Sequence, residues 1–349
     1  MDGESPRGVQ NLPVDEAELP YGTTDSRRDA LAALERLAAG DLSCLAPDSV
    51  AHAAHPWGTR QGAAVPALWS ELRHALPDLE RRDTLFLAGS NQPDARWTAP
   101  RAPHLVACCG SYLGTFREPL AGIPPTGGLV RLDYGEAHHF EDGKLVASWL
   151  LWDLAALMMQ TGAWPLGRPT GTPGHWPAPK GGQGLRLTPE PDQGSLARVF
   201  AMHDALHSFD GVDINSMDMH HWAPDFTYWA GGFIGACRGL SGFRARHQIP
   251  FLRAFPDRRG AGHFVRLSDG PFAVTGGDVA ITHTGAEYMG VPPSGRALTF
   301  RVMDFYRFDS AGLIAENWLP NDTLGLLHQM GLDVLGRMAE LTGEGPRQI

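Results

Sequence analysis

Two acidic residues that each end an apolar run are the side chains of this sequence best suited to chemistry. Asp153 follows Trp149 in ASWLLWDLAALMM, and Asp322 follows Trp318 in IAENWLPNDTLGLL. A carboxylate in such surroundings must be hydrogen-bonded, cap a helix, or carry a raised pKa. A raised pKa suits proton transfer near neutral pH. Two interpretations therefore stay open at this point: a general acid–base group or a helix cap.

The segment before Asp153 adds three polar side chains on one expected strand. Residues two apart share a face of a strand, so His139 lies on one side, while Glu136 and His138 lie on the other. We expect one of these sides to line a cavity.

These residues belong to an internal repeat. Residues 46–62 align with 223–239, with sixteen steps from Ala to the final Gly in both copies, and GIPPTG matches GVPPSG further on. HHFEDGKLVASWLLWDLAALMMQTG then matches YRFDSAGLIAENWLPNDTLGLLHQMG with one residue inserted. Matches in the same order indicate two copies of one unit, which agrees with the domain count expected for 349 residues.

The repeat and the composition together predict the domain organisation. A segment rich in Pro and Gly separates the copies and is typical of a linker, and the charged, Pro-containing start has little apolar periodicity. We predict a flexible N-terminal arm over 1–24, a first domain over 25–165, a linker over 166–194 and a second domain over 195–349.

Each copy has the pattern of helices followed by an antiparallel meander. Apolar spacing predicts helices over 27–39, 64–76, 196–208 and 241–255. Runs rich in β-formers predict strands over 104–117, 129–140, 144–152, 278–289, 297–308 and 313–319. The fold class is therefore α+β, with a curved, mostly antiparallel sheet wrapped around N-terminal helices to leave a cone-shaped cavity.

Charge and hydropathy exclude several kinds of partner. The net charge is −10 and no block of Lys or Arg stands out, which disfavours nucleic acid. The sequence has no run of 18 or more apolar residues that could span a membrane, and its start lacks the features of a signal peptide. We therefore expect a cytoplasmic protein. No carboxylate or Cys lies at ligand spacing from His55 or from His220-His221, so we predict no metal.

The C-terminal part of the first copy resembles the signature of SnoaL-like polyketide cyclases, a family of the NTF2-like superfamily. The matching residues are His139 to Lys144, Trp149, Asp153 and Gln160-Thr161-Gly162; the upstream APDSVAHAAHPWGTRQG and GIPPTGG segments also agree. The resemblance covers nearly all of both copies. It implies two NTF2-like (cystatin-like cone) domains that close a polyketide ring by intramolecular aldol condensation without a cofactor.

The resemblance also implies roles for individual residues. Asp153 becomes the general base and acid, His139 the partner of the oxyanion, and His52 a residue that positions the substrate. A small hydrophobic, polyketide-like carbonyl compound is the expected substrate. The residues that we expect to bind it are His52, His55, Trp57, Trp149, Tyr228, Trp229, Tyr306 and Trp318.

The second copy departs from this pattern at four positions. It keeps Asp322, but Arg307 replaces His139, Tyr306 replaces His138, Trp229 replaces His52 and Asp304 replaces Glu136. An Arg beside Asp322 would lower the pKa of that carboxyl group and weaken it as a base. We therefore expect the first copy to be the active one, with the second as an altered site or a structural partner.

Two other classes of function stay open. A hydrolase of the epoxide-hydrolase type would use the second copy's acidic residues and arginine, namely Asp304, Arg307 and Asp322, to activate water. A binding module without catalysis is equally compatible with a cone-shaped pocket. The resemblance further implies that the two copies pack sheet against sheet as an internal pseudo-dimer, with further homodimerisation left open.

Overall fold

The computed structural model describes residues 20–174, 176–210 and 212–343. Most of the predicted N-terminal arm over 1–24 therefore lies outside the described residues. The first described helix begins at Thr24, where the Thr23 hydroxyl accepts a hydrogen bond from the amide of Ser26 at 3.1 Å. None of the helices in the described residues is long and apolar enough to span a membrane.

The elements of the first domain are α1 (Thr24–Ala38), β1 (Leu45–Ala53), β2 (Thr59–Gln61), α2 (Ala64–Ala75), β3 (Glu80–Ser90), β4 (His104–Thr115), β5 (Leu129–Glu141), β6 (Lys144–Trp152) and α3 (Leu154–Gln160). The strands form one six-stranded sheet with the order β2-β1-β6-β5-β4-β3, in which β1 and β6 are parallel and the other pairs antiparallel. Helices α1 and α2 pack on one side of this sheet.

The second domain repeats this topology, with the strand order β8-β7-β12-β11-β10-β9 and β7 parallel to β12. Its elements are α4 (Ser195–Leu206), β7 (Trp222–Ala230), β8 (Cys237–Arg238), α5 (Gly239–Phe243), α6 (Ile249–Ala254), β9 (Arg259–Asp269), β10 (Phe272–Thr282), β11 (Ala297–Phe308), β12 (Ile314–Leu319), α7 (Thr323–Gln329) and α8 (Val334–Thr342). The predicted α+β class, with two curved and mostly antiparallel sheets around helices, is confirmed.

Two of the predicted elements differ from those observed. The strand expected over 278–289 is β10, which begins six residues earlier and continues through Gly276 and Gly277. A side chain at Gly277 would lie 2.3 Å from the carbonyl oxygen of Gly262, so glycine is required where β9 approaches. The helix expected over 241–255 is interrupted by a π-helical turn over Arg244–Gln248, immediately before Pro250, which lacks an amide hydrogen.

The convex faces of the two sheets pack against each other. Trp149 of β6 stacks on Phe264 of β9 with ring centroids 5.3 Å apart and an interplanar angle of 8°. At one edge of this interface, the buried Arg27 guanidinium of α1 donates to Oδ2 of Asp269 in β9 at 2.5 Å. The segment between the domains follows the first sheet, where Phe86 and Gly184 pair through an amide–carbonyl hydrogen bond of 2.9 Å. The domain boundaries themselves remain predictions.

Candidate functional site

The second domain contains a cavity of about 260 Å³ between its curved sheet and helices α4 to α6. Aromatic and aliphatic side chains such as Trp222, Phe243 and Phe300 form much of its wall. The polar or charged lining residues are Arg96, His203, Asp204, His207, Tyr228, His247, Gln248, Arg258, His263, Arg266, Thr275, Asp278, Asp304, Tyr306 and Asn317.

The first copy, which the sequence favours as the active one, has larger side chains in its cone than the second copy. Tyr134 pairs with Gly110 in the first sheet, and Val302 pairs with Gly277 at the same place in the second sheet. Val302 is therefore the counterpart of Tyr134. By the same register, Tyr112 of the first domain corresponds to Val279 and Arg81 to Gly260. Val279, Val302 and Gly260 all line the cavity of the second domain. Three small residues therefore leave open the space that two tyrosines and an arginine occupy in the first domain.

The filled cone of the first domain is a closed hydrogen-bond network around Glu136. Its carboxylate accepts from Arg81 at 2.6 Å, from the Tyr112 hydroxyl at 2.8 Å and from the Trp152 indole at 2.8 Å. Burial alone would raise the pKa of Glu136, but Arg81 and His138 outweigh it and lower that pKa to about 2. Such an acid stays ionised at neutral pH and is poorly suited to accept a proton.

Asp304 is the matching carboxyl group in the second domain, and its surroundings have the opposite effect. Asp304 is partly accessible, and it is one of the residues that line the cavity. Burial raises the pKa of Asp304 to about 7, although hydrogen bonds from Asn317 and Tyr306 oppose the shift. The Asn317 amide donates to Oδ1 of Asp304 at 3.1 Å, and the Tyr306 hydroxyl also contacts Thr275. A carboxyl group with a pKa in this range is suited to accept and donate a proton near neutral pH.

Several other lining side chains, Tyr228 and His247 among them, present a buried polar atom that has no hydrogen-bond partner in the part of the chain that the structure describes. Among the described residues, the Tyr228 hydroxyl and Nδ1 of His247 are buried without a hydrogen-bond partner. Their rings stack with centroids 5.1 Å apart. Burial, followed by the charge of Arg258, lowers the pKa of His247 to about 3, so its imidazole is neutral. Because unpaired buried polar groups are rare in folded proteins, these atoms are suited to bind a ligand.

The first domain contributes one residue to the wall of this cavity. Arg96 lies in the connection between β3 and β4 and donates to Asp94 at 2.9 Å. Its Nη2 is also 3.3 Å from Nδ1 of His263 on β9. A Cβ on Gly260 would lie 2.9 Å from the Arg96 guanidinium, so the close approach depends on glycine.

Asp153 and Asp322 lie outside the cavity, which corrects the expectation that they face it. Oδ1 of Asp153 caps α3 by accepting from the Ala156 amide at 2.9 Å, and Oδ2 accepts from the amide of Gly232 in the other domain at 2.7 Å. Asp322 of the second domain makes the equivalent contacts, since it caps α7 and accepts a hydrogen bond from the His55 amide of the first domain at 3.1 Å. Burial raises the pKa of Asp153 to about 6 and also raises that of Asp322. The caps thus join the domains.

His139 and Arg307 also lie away from the cavity. His139 is buried between the carbonyl oxygen of His104 and the carboxylate of Glu141, each 3.0 Å away. Arg307 forms an ion pair with Glu316 on the neighbouring strand rather than with Asp322. The trio of Asp304, Arg307 and Asp322 considered for a hydrolase is therefore not assembled.

The aromatic residues predicted to bind substrate divide into two groups. Only Tyr228 and Tyr306 line the cavity. The others lie between the domains or in the first cone: His52 stacks on Trp149, His55 stacks on His328, Trp57 packs edge-on against Trp152, the Trp318 indole donates to the carbonyl oxygen of Pro177, and Trp229 packs at the interdomain cluster.

Sequence reasoning missed Asn317, Thr275, His247 and Arg258. Asn317 had a visible signal, since an amide in the apolar strand IAENWL must find a partner, and it lies opposite Tyr306 in the ladder. His247 had a weaker one, because it is spaced by four residues from both Phe243 and Phe251. The other two become recognisable only once β9 and β10 are placed.

Comparisons with known proteins agree with the resemblance described above. The model of the SnoaL-like polyketide cyclase family matches residues 101–161 and 203–330. No curated protein matches the chain.

Among solved structures, AclR from Streptomyces galilaeus, a proposed hydroxylase, shares 22% sequence identity over 40% of this chain and 98% of its own, with a TM-score of 0.34. IdmH from Streptomyces antibioticus, a proposed polyketide cyclase, shares 22% identity over 39% of this chain and 98% of its own, with a TM-score of 0.32. TsrD from Streptomyces laurentii shares 22% identity over 41% of this chain and 98% of its own, with a TM-score of 0.32.

Proposed function

The chain belongs to the SnoaL-like polyketide cyclase family, and from that premise we propose that its second domain is a cofactor-free cyclase or isomerase. Its substrate is a small hydrophobic carbonyl compound, and Asp304 is the general base and acid. The observation that carries the proposal is the position of this carboxyl group, which lines the cavity of the second domain and whose pKa is raised to about 7 by burial. A base whose pKa lies near the working pH is effective in proton transfer.

An aldol ring closure can be written with these residues alone. Asp304 removes a proton from a carbon next to a carbonyl group, which leaves an enolate. The enolate carbon attacks a second carbonyl carbon of the same molecule, and the resulting alkoxide takes the proton back from Asp304. The buried Tyr228 hydroxyl has no partner among the described residues and can donate to the oxyanion, and the neutral His247 imidazole can do so in the tautomer that carries its proton on Nδ1.

The size of the cavity restricts the substrate. A volume of about 260 Å³ lies slightly below the range of roughly 300–1,000 Å³ that is usual for ligand pockets. This favours a compound of one or two rings, or the short chain that would give it, over a multi-ring product. The wall confines such a chain in a folded shape and so helps bring its ends together.

The proposal is tested by measuring proton abstraction directly. We expect the enzyme to catalyse hydrogen–deuterium exchange at the carbon next to the carbonyl group of 2-tetralone, followed by proton NMR in deuterated buffer. The exchange rate should rise with pH and be half-maximal near pH 7, because only ionised Asp304 accepts the proton. Asp304→Asn should lower the rate by about 10²- to 10⁴-fold.

The matched control is Asp225→Asn, which removes an exposed carboxylate of the same domain and should leave exchange unchanged. Wild-type exchange rates in Asp304→Asn would contradict the proposal. Binding of 2-tetralone without any exchange above the buffer rate would favour a binding module instead.

A further inference from the structure

The cavity has a second polar region, separate from Asp304, at the corner between α6 and β9. Arg258 lines the cavity here, and its Nη2 donates to the carbonyl oxygen of Leu206 at the end of α4 at 2.9 Å. His207 and His247 are close enough that the charge of Arg258 lowers the pKa of both imidazoles. The guanidinium therefore extends between α4 and the helix that carries His247.

Arg258 differs from the other arginines around the cavity because no carboxylate in the described part of the chain forms an ion pair with it. Arg96 and Arg266 both pair with Asp94, at 2.9 and 3.2 Å. Asp204, the nearest acidic residue on α4, is exposed and acts on Arg96 and His207.

The lone charge has a physical cost that a ligand can remove. Burial lowers the pKa of Arg258 to about 10, and no neighbouring carboxylate offsets the shift. The group is still protonated at neutral pH, so it stays a partly desolvated cation. A guanidinium in this state binds carboxylates strongly, because its planar fork can donate two parallel hydrogen bonds.

Comparison of the two copies shows that Arg258 occurs in the copy with the open cavity and has no charged counterpart in the other copy. Pro256-Asp257 aligns with Pro77-Asp78, so Arg258 corresponds to Leu79 of the filled first domain. Leu79 is buried among apolar neighbours. The copy with a cavity thus has an arginine where the copy without one has an ordinary core residue.

Arg258 and Asp304 both line the cavity, and in the described residues their side chains have different hydrogen-bond partners and do not pair with each other. The pKa of Asp304 is set by burial, Asn317 and Tyr306, without a contribution from Arg258. An anion bound at Arg258 would therefore leave the other part of the same molecule to reach the carboxyl group of Asp304.

We infer that the substrate is a small keto acid whose carboxylate is bound by Arg258 while its carbonyl portion lies at Asp304. The assignment of the reacting portion rests on the function proposed above. The assignment of a carboxylate rests on the unpaired guanidinium, the cavity around it and the comparison with Leu79.

The test uses 2-naphthoate and its uncharged methyl ester as probes, titrated into the full-length protein by isothermal calorimetry. We expect the wild-type protein to bind 2-naphthoate about 10- to 100-fold more tightly than the ester, as a charge-assisted hydrogen bond would give. Arg258→Leu, which installs the residue of the first copy, should abolish this preference while the ester still binds. Arg258→Lys should keep part of it.

Wild-type protein that binds the acid no more tightly than the ester overturns the inference, and this result needs no variant to fold. A preference that survives in Arg258→Leu overturns it as well. Asp304→Asn separates the two proposals, because it should abolish proton exchange yet keep the preference for naphthoate. Undiminished exchange in that variant would remove the proposed function and leave the carboxylate site standing.

Discussion

Replacing Asp304 with asparagine should change how the stability of the protein depends on pH. The carboxyl group has a folded-state pKa of about 7 against an ordinary value of 3.8, because burial penalises its ionised form. Between these two values the folded protein holds the proton while the unfolded chain has lost it. The free energy of unfolding therefore falls as the pH rises through this window. An asparagine side chain at this position would have the same shape without the titration.

The size of the effect follows from the shift. Each pKa unit corresponds to 1.36 kcal/mol, so raising the pKa from 3.8 to about 7 costs up to about 4 kcal/mol once Asp304 is ionised. The stability that the folded protein has with Asp304 protonated is fully present below pH 4, and it is lost as the pH rises to about 7 and above. Asp304→Asn should therefore gain stability relative to the wild type as the pH rises, by up to about 4 kcal/mol between pH 4 and pH 8.

Urea denaturation of both proteins at several pH values measures this difference, because the other titrating groups are shared and cancel. Asp225→Asn serves as the control, since its exposed carboxylate should give a nearly constant difference. A constant difference between Asp304→Asn and the wild type would refute the reasoning, since it would mean that Asp304 titrates alike in both states.

Further predictions concern the cavity and the interface. Val279→Tyr with Val302→Tyr should fill the cavity as the first domain's cone is filled, and calorimetry should then detect no binding of 2-naphthoate. Asp153→Ala should destabilise the protein by about 1–3 kcal/mol in urea denaturation, because a helix cap and an interdomain hydrogen bond are lost, yet leave proton exchange on 2-tetralone within threefold of the wild type (roughly 0.6 kcal/mol). A catalytic Asp153 would give the opposite pair of results. Arg27→Met should cost about 3–5 kcal/mol in the same denaturation assay, since the buried Asp269 would lose its closest ion-pair partner and, of the described residues, keep only Arg186 at 3.9 Å and the Ala88 amide at 3.3 Å.

The repeat and six of the twelve strands in the described residues could be predicted because they depend on local patterns. The strand over 297–308 and the hairpin that follows it are observed as β11 and β12 with almost the predicted bounds. Asp304, Tyr228 and Tyr306 were predicted site residues and do line the cavity. Asp304 and Tyr306 lie on β11, which the sequence predicts as a strand, whereas Tyr228 lies on β7, for which no strand was predicted.

The copy that contains the open cavity could not be predicted, because the openness of each cone depends on which side chains meet across strands. Tyr134 is larger than Val302, and its hydroxyl donates to Asp83, but the effect of this difference on the cone emerges only once β5 and β11 are paired with their neighbours. The position of Asp153 could not be predicted for another reason. A carboxylate after an apolar strand and before a helix has the same local pattern whether it caps the helix or faces a cavity, and only the position of Gly232 decides between them.

The duplication separates two demands that a single domain would have to meet together. An open cavity lined by unpaired polar groups lowers stability, since buried polar atoms without partners and missing packing both have a cost. The first domain avoids both by closing Glu136 into a network of hydrogen bonds. It then supports the second domain through the Asp153 contact to Gly232 and supplies Arg96 to the cavity wall. A filled first cone is thus compatible with an active protein, because its packing stabilises the neighbouring domain that keeps the cavity open.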